Sequence, residues 1–147
     1  MKYSKLGNDD IESFLLRQGM EPYSGGFVNY CLYLVDTERY KAEKYQHNPI
    51  MAKACAFVLH RLCEAQKHLL TVIGETDRFQ TDLPFPELKE KVQGILAEGC
   101  NTGDGWLIAA EVIQYVEKGC GSVLILHPFG CLVSHVCERG ILQRLHA

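Results

Sequence analysis

Ser122-Val123-Leu124-Ile125-Leu126 is the segment of the sequence that most resembles a β-strand. It is short, uniformly apolar and partly β-branched, which is typical of a strand buried on both faces. The glycine-rich residues 119–121 separate it from a helix predicted over residues 104–118. A loop over residues 127–131 and a helix predicted over residues 132–145 follow it. Helix, strand, loop and helix in this order predict part of a parallel sheet in an α/β protein.

The rest of the chain is predicted to be mainly helical, which makes about five to six helices in all. Asn8-Asp9-Asp10 can cap a helix that Gly19 ends, and residues 27–45 predict a helix that is buried early and exposed late. The longest apolar stripe at helical spacing follows Asn48-Pro49, and another helix is expected to begin at Pro86.

The predicted sheet has few candidate strands. Besides residues 122–126, only the short piece 20–23 is extended in character, and Pro22 makes it unsuitable for a central strand. One strand cannot form a sheet, and an unpaired apolar edge invites aggregation. We therefore expect either a homo-oligomer, in which the strand pairs with another copy of the chain, or a piece of a larger domain.

Composition and charge narrow the class of protein. The chain has 147 residues, 47% of them hydrophobic and 22% charged, which suits one globular domain over residues 1–147. The net charge of −3 argues against binding to nucleic acids or to anionic membranes. No apolar run approaches the roughly 20 residues of a membrane span, and residues 1–5 do not begin a signal peptide. These features predict a cytoplasmic protein.

Cysteine is the one unusual residue type in the composition. The count is odd and no export signal is expected, so we predict no disulfide framework. No Cys-x-x-Cys pair occurs in the sequence, which disfavours a zinc knuckle and a thioredoxin-type redox site. The seven cysteines are Cys31, Cys55, Cys63, Cys100, Cys120, Cys131 and Cys137.

Cys131 is the candidate for thiol chemistry. It ends the loop Pro128-Phe129-Gly130-Cys131 after the predicted strand, where open α/β sheets bind ligands. The N–H groups at the start of the following helix lower a thiol's pKa and favour the thiolate, which binds iron or attacks electrophiles. Three alternatives stay open: a packed cysteine in a structural turn, a nucleophile paired with His135, or part of a zinc site with His127 and His135.

Gly103-Asp104-Gly105-Trp106 is the second candidate site. Glycines before a helix can cradle a phosphate, but the pattern lacks both the Walker lysine and the dinucleotide-binding spacing. The structural alternative is a tight turn in which Asp104 caps the helix and Trp106 enters the core. Glu111 falls on an otherwise apolar helix face, and it needs a partner if it is buried.

Both candidate sites resemble one known family. Gly103-Asp104-Gly105-Trp106-Leu107 and His127-Pro128-Phe129-Gly130-Cys131-Leu132 are similar to the carboxyl-terminal region of large bacterial activators of 2-hydroxyacyl-CoA dehydratases. That region is itself similar to the dehydratase subunits. Residues 2–9 and 26–31 resemble the same family, so the resemblance spans nearly the whole chain.

The resemblance implies a doubly wound α/β domain and an oxygen-sensitive iron–sulfur cluster held by cysteines. In such systems an activator hydrolyses ATP and passes an electron to the dehydratase, which drives a radical dehydration in anaerobic metabolism. The ATPase domain has no counterpart here, so we expect no ATP hydrolysis, and the chain corresponds to a fragment of a larger dehydratase-like domain.

The resemblance also assigns roles to individual residues. It makes Cys131 the metal ligand, and because a cubane cluster needs about four ligands, Cys31, Cys100 or a second subunit would supply the others. The residues expected to bind the cofactor are Gly103, Asp104, Gly105, Trp106, Phe129, Gly130 and His135.

Three functions follow from these observations. The first is a non-ATPase module of the dehydratase–activator system that binds an iron–sulfur cluster for electron transfer, in a homo-oligomer or with a dehydratase-system partner. The second is a non-catalytic oligomeric domain, structural or interacting, without a cofactor. The third is a thiol-dependent enzyme that uses Cys131 and His135. We favour the first, with no independent catalytic activity expected from this chain.

Overall fold

A computed structural model describes residues 4–76, 79–126 and 128–141, and across these ranges it contains helices and turns but no β-strand. The helices are α1 (Ile11–Arg17), α2 (Phe27–Lys44), α3 (Pro49–Gly74), α4 (Phe85–Glu90) and α5 (Gly105–Glu117). A π-helical segment, π1 (Ser134–Glu138), and a 3₁₀ turn at Arg139–Ile141 follow. The helices predicted at α1, α2, α3 and α5 are confirmed.

The predicted partial parallel sheet is wrong. Residues 122–126 have no strand partner in the described parts of the chain, and Val123, Leu124 and Leu126 keep more than a third of their surface exposed. The weak second candidate at residues 20–23 is also irregular. A strand is defined by hydrogen bonds to a neighbour, so an apolar run without one stays a loop however β-prone its residues are.

The helix predicted over residues 132–145 is confirmed as helical backbone over residues 132–141, although its form differs: residues 132–133 are α-helical, and π1 and the 3₁₀ turn follow. Residues 142–147 lie outside the described part of the chain. The helix that Pro86 was expected to begin includes that residue but ends at Glu90, and turns replace it over residues 91–95.

α2 and α3 form a helical hairpin. The short connection over residues 45–48 brings α3 back along α2, and the side chain of Asn48 caps α3 by accepting a hydrogen bond from the Met51 amide at 3.1 Å. A buried polar link joins the two helices: Gln66 donates to Asn29 at 2.6 Å and accepts from the Phe85 amide at 2.9 Å. The hairpin is thereby tied to the start of α4.

The core lies where α2, α4 and α5 meet. Trp106 at the start of α5 is its centre, with the ring of Tyr33 5.1 Å away in an edge-to-face arrangement and Phe85 at 5.8 Å. Asp36 on α2 adds an ion pair to Lys89 on α4 at 2.7 Å. The fully buried core side chains include Leu32, Tyr33, Phe85, Leu88, Trp106 and Leu107.

Candidate functional site

The loop before α5 is held by backbone hydrogen bonds. The Gly105 amide donates to the Thr102 carbonyl at 3.1 Å, and the Trp106 amide donates to the Cys100 carbonyl at 2.8 Å. Gly103 and Gly105 have φ angles of 58° and 38°, in the region that side chains disfavour. A Cβ at Gly105 would also overlap the Cys100 carbonyl, so this turn requires glycine there.

Asp104, between the two glycines, and Trp106, after the second, face opposite ways. Trp106 is 2% exposed and packs in the core, as the tight-turn alternative predicted. Asp104 is exposed and lines a cleft. Its predicted capping role is wrong: the side chain makes no capping hydrogen bond, because the backbone of Asp104 (φ −83°, ψ −12°) is already helical rather than extended.

A cleft of about 370 Å³ lies beside this loop, and we name it the Cys131 cleft. Residues 123–126 and 23–25 supply two of its walls. The predicted strand and Tyr23, the last residue of the weaker candidate at residues 20–23, thus reach the same cavity without pairing. The polar and small residues that line it include Gly103, Asp104, Glu111, Cys131, Ser134 and Glu138.

The Cys131 thiol is partly exposed at this cleft, and its environment favours the thiolate. The side chain of Ser134 and the backbone amides of Ser134 and Val133 hydrogen-bond to the sulfur and lower the pKa of Cys131 below its ordinary value. A donor that stabilises the charged form has this effect on any thiol. The expected cause, N–H groups that follow the cysteine, is therefore present: one belongs to Val133, directly before π1, and the other to Ser134, its first residue.

The turn that carries Cys131 presents its neighbours outward. The Cys131 amide donates to the Pro128 carbonyl at 3.2 Å, and Gly130 has a φ of 75° with open space around it. Phe129 is fully exposed. The His135 amide donates to the Cys131 carbonyl at 3.2 Å, which places both residues in one turn. His127 lies outside the described residues.

Two buried carboxylates of the cleft belong to Glu111 on α5 and Glu138 on π1. Gly25 packs so closely against the Glu111 carboxylate that a Cβ there would overlap it, and the Tyr115 hydroxyl would lie 2.5 Å away. Burial and the hydrogen bond to Asp82 raise the pKa of Tyr23, which lines the same wall. Glu111 is therefore a buried part of the cleft rather than a solvated residue.

Sequence reasoning missed Ser134 and Glu138. A signal existed for Ser134, because it follows Cys131 by three residues, a spacing at which helical side chains meet. No local signal existed for the wall over residues 23–25, because it reaches the cleft only through the tertiary fold.

The remaining thiols are placed differently. All seven cysteines are free, and Cys137 is buried with its pKa raised to about 11 by burial and by contact with Cys100. Burial also raises the pKa of Cys63 on α3. Cys31 lies on α2 and lines a separate apolar groove. Cys131 is thus the thiol that this environment makes most reactive among those with a resolved pKa shift.

A complete metal site does not form within one chain as far as the structure describes it. Over residues 4–76, 79–126 and 128–141, no three His, Cys, Asp or Glu side chains gather in an arrangement that could hold a metal ion. A cubane cluster needs about four ligands. Cys31 and Cys100, the other thiols considered as ligands, do not complete a site with Cys131 among these residues.

Comparison with protein-family models finds no match, and comparisons with curated proteins and with solved structures find no significant one. Within the described residues, none of the helices combines the length and the apolar character that crossing a bilayer requires.

Proposed function

We propose that this chain is a non-ATPase module related to the 2-hydroxyacyl-CoA dehydratase–activator system, in which Cys131 ligates an iron–sulfur cluster used for electron transfer. The observation that carries the proposal is the Cys131 thiol, partly exposed at a cleft and hydrogen-bonded so that its pKa is lowered. The thiolate is the form that binds iron. Because one described chain offers too few ligands, the cluster is shared with a second subunit.

The other proposed cofactor-binding residues fall in two groups. Gly103 and Asp104 line the cleft together with Cys131, whereas Gly105 and Trp106 are buried and hold that loop in place. The two motifs lie close together: a Cβ added at Gly103 would lie 3.4 Å from the side chain of Val133. On the outer rim, exposed side chains and an open glycine leave room for a partner: Phe129, Gly130 and His135.

The setting of the module follows from its chemistry. An exposed thiolate that holds iron requires a reducing compartment, and we place the protein in the cytoplasm of an anaerobic cell. We assign no independent catalysis and no ATP hydrolysis to the chain; its role is to hold and relay an electron.

The test is the iron and sulfide content of protein purified without oxygen and reconstituted with both. Wild type is expected to bind cluster with a visible charge-transfer spectrum, and Cys131→Ala to lose it. Cys55→Ala is the matched control, because it removes a partly exposed thiol on α3 away from the cleft. Equal iron in wild type and Cys131→Ala would contradict the assignment, and so would no iron in either.

A second candidate, an interaction domain without a cofactor, has its own supporting observation. Leu124, Phe129 and Leu132 expose most of their apolar surface near the cleft, and apolar side chains grouped at a rim are typical of protein-binding surfaces. The same experiment separates the two: protein free of iron after reconstitution, with Cys131→Ala unchanged in stability, favours the interaction domain.

A further inference from the structure

One apolar face of α3 is not covered in the described fold. Met51, Ala54, Val58, Leu62, Ala65, Leu69 and Val72 recur at intervals of three and four residues, which places them in one stripe along the helix. Ile50 and Phe57 widen this stripe. The large side chains among them are 39% to 81% exposed.

α3 carries a second stripe, and this second stripe packs against other parts of the chain. Cys55, Leu59, Cys63, Gln66 and Leu70 are buried or partly buried on the side of the hairpin, and Leu59 and Cys63 pack against the core. The two stripes lie side by side, about one residue or 100° apart on the helix. An amphipathic surface helix needs only one such stripe, so the second has no role inside the described chain.

The exposed stripe continues into a groove between α2 and α3. The groove has a volume of about 250 Å³, and its apolar walls come from Val28, Cys31 and Leu32 on α2 and from Leu62, Ala65 and Leu69 on α3. Phe27 and Leu34 extend the apolar surface on α2 and are both exposed. Stripe and groove together form what we name the hairpin face.

We propose that the hairpin face binds the same face of a second copy of this chain. At roughly 100 Å² for a fully exposed large apolar side chain, the face presents roughly 500 Å² of apolar surface. A stable interface takes about 800 Å² from each partner, of which about 65% is apolar in homodimers. The available apolar surface therefore matches the apolar part of one side of a homodimer interface.

The shape and charge of the face fit a copy of itself. The α3 stripe forms a ridge, and the groove lies beside it. When two copies are related by a twofold axis, the ridge of each copy enters the groove of the other, and the four helices form one bundle. Two ion pairs lie beside the face within the chain: Arg61 with Glu64 at 2.8 Å and Lys41 with Glu38 at 2.8 Å. These pairs limit the charge repulsion between two such surfaces. This inference does not depend on the function of Cys131.

The test is the molar mass in solution, measured by light scattering on protein eluting from a sizing column. Wild type is expected at twice 16.6 kDa, and Leu69→Glu is expected to raise the dimer dissociation constant by roughly tenfold or more. Leu16→Glu is the matched control, because Leu16 is also a half-exposed leucine on a helix but lies on α1. Val58→Glu should act as Leu69→Glu does, and circular dichroism checks that each variant folds.

A second measurement uses wild type alone. Backbone amides of α3 between residues 50 and 72 should exchange hydrogen more slowly in concentrated than in dilute protein, because association protects the helix. A monomeric mass at tens of micromolar would overturn the proposal. So would a dimer that survives Leu69→Glu and Val58→Glu, or one that Leu16→Glu dissociates, and so would α3 exchange that does not vary with concentration.

Discussion

At Gly25, two polar groups of α5 occupy the space that a side chain would need. A Cβ would overlap the Glu111 carboxylate and would lie 2.5 Å from the Tyr115 hydroxyl. Both groups belong to side chains buried at the wall of the Cys131 cleft, so neither can move away at low cost. We predict that Gly25→Ala lowers the free energy of unfolding by about 1–3 kcal/mol, the usual cost of overpacking.

Urea denaturation measures this change, and Gly121→Ala is its control. Gly121 lies in an exposed loop with open space around the position of its Cβ. Its substitution should alter stability by less than about 0.5 kcal/mol. Equal effects of the two substitutions would show that the Gly25 contact is not a determinant of the fold.

Ser134 controls the ionisation of Cys131. Its hydroxyl and its amide donate to the sulfur and favour the thiolate, so the pKa of Cys131 is lowered and the thiolate persists to lower pH than for an ordinary cysteine. We predict that at near-neutral pH Cys131 alkylates faster than Cys63 and Cys137, whose pKa values are raised, that its rate falls as pH drops through its lowered pKa, and that Ser134→Ala slows it severalfold. Mass spectrometry after iodoacetamide pulses measures each site.

Two internal comparisons support that experiment. Cys137, with its pKa raised to about 11, should label slowly throughout, and Ser122→Ala, at an exposed serine away from the thiol, should leave the Cys131 rate unchanged. Uniform slow labelling of all seven cysteines would contradict the proposed reactivity. The direction of the pKa shift could be predicted from the sequence because the amides that follow Cys131 act locally, whereas the contribution of the Ser134 hydroxyl depends on π1.

Gln66 joins three elements through one amide. It donates to Asn29 on α2 and accepts from the amide of Phe85 at the start of α4, and it is buried. Replacement by leucine leaves a buried carbonyl and a buried N–H without their partner, each of which costs about 1–3 kcal/mol. We therefore predict that Gln66→Leu lowers the free energy of unfolding by about 2–4 kcal/mol. Gln93→Leu, at an exposed turn position, is the control in the same denaturation assay, and a cost as small as that of the control would refute the link.

The helices could be predicted from the sequence, whereas the predicted strand was wrong. The difference lies in where each element finds partners for its backbone hydrogen bonds. A helix forms its hydrogen bonds within itself, so the caps and stripes of α2 and α3 sufficed to locate them. Residues 122–126 would need a second strand for the same bonds, and their apolar character does not specify one. The same difference applies to the cleft. Local sequence patterns pointed to Cys131 and Gly103, whereas Glu138 and residues 23–25 reach the cleft only through tertiary packing.

At the scale of the whole molecule, apolar surface is the notable property. Large apolar side chains are exposed in two regions of the described chain, the hairpin face and the rim of the Cys131 cleft. Association was expected from the sequence because of an unpaired strand. The larger uncovered apolar surface lies instead on the helices α2 and α3, while the rim of the cleft includes Leu124 of the predicted strand.

The central proposal is that Cys131 holds a cluster for which the described residues of one chain do not supply the full ligand set. Native mass spectrometry of oxygen-free, reconstituted protein tests it most directly, because it weighs the intact assembly with its cofactor. The account predicts iron and sulfide only in species of two or more chains, in wild type and in Cys55→Ala but not in Cys131→Ala. Iron bound to single chains, or assemblies without iron in every sample, would contradict it.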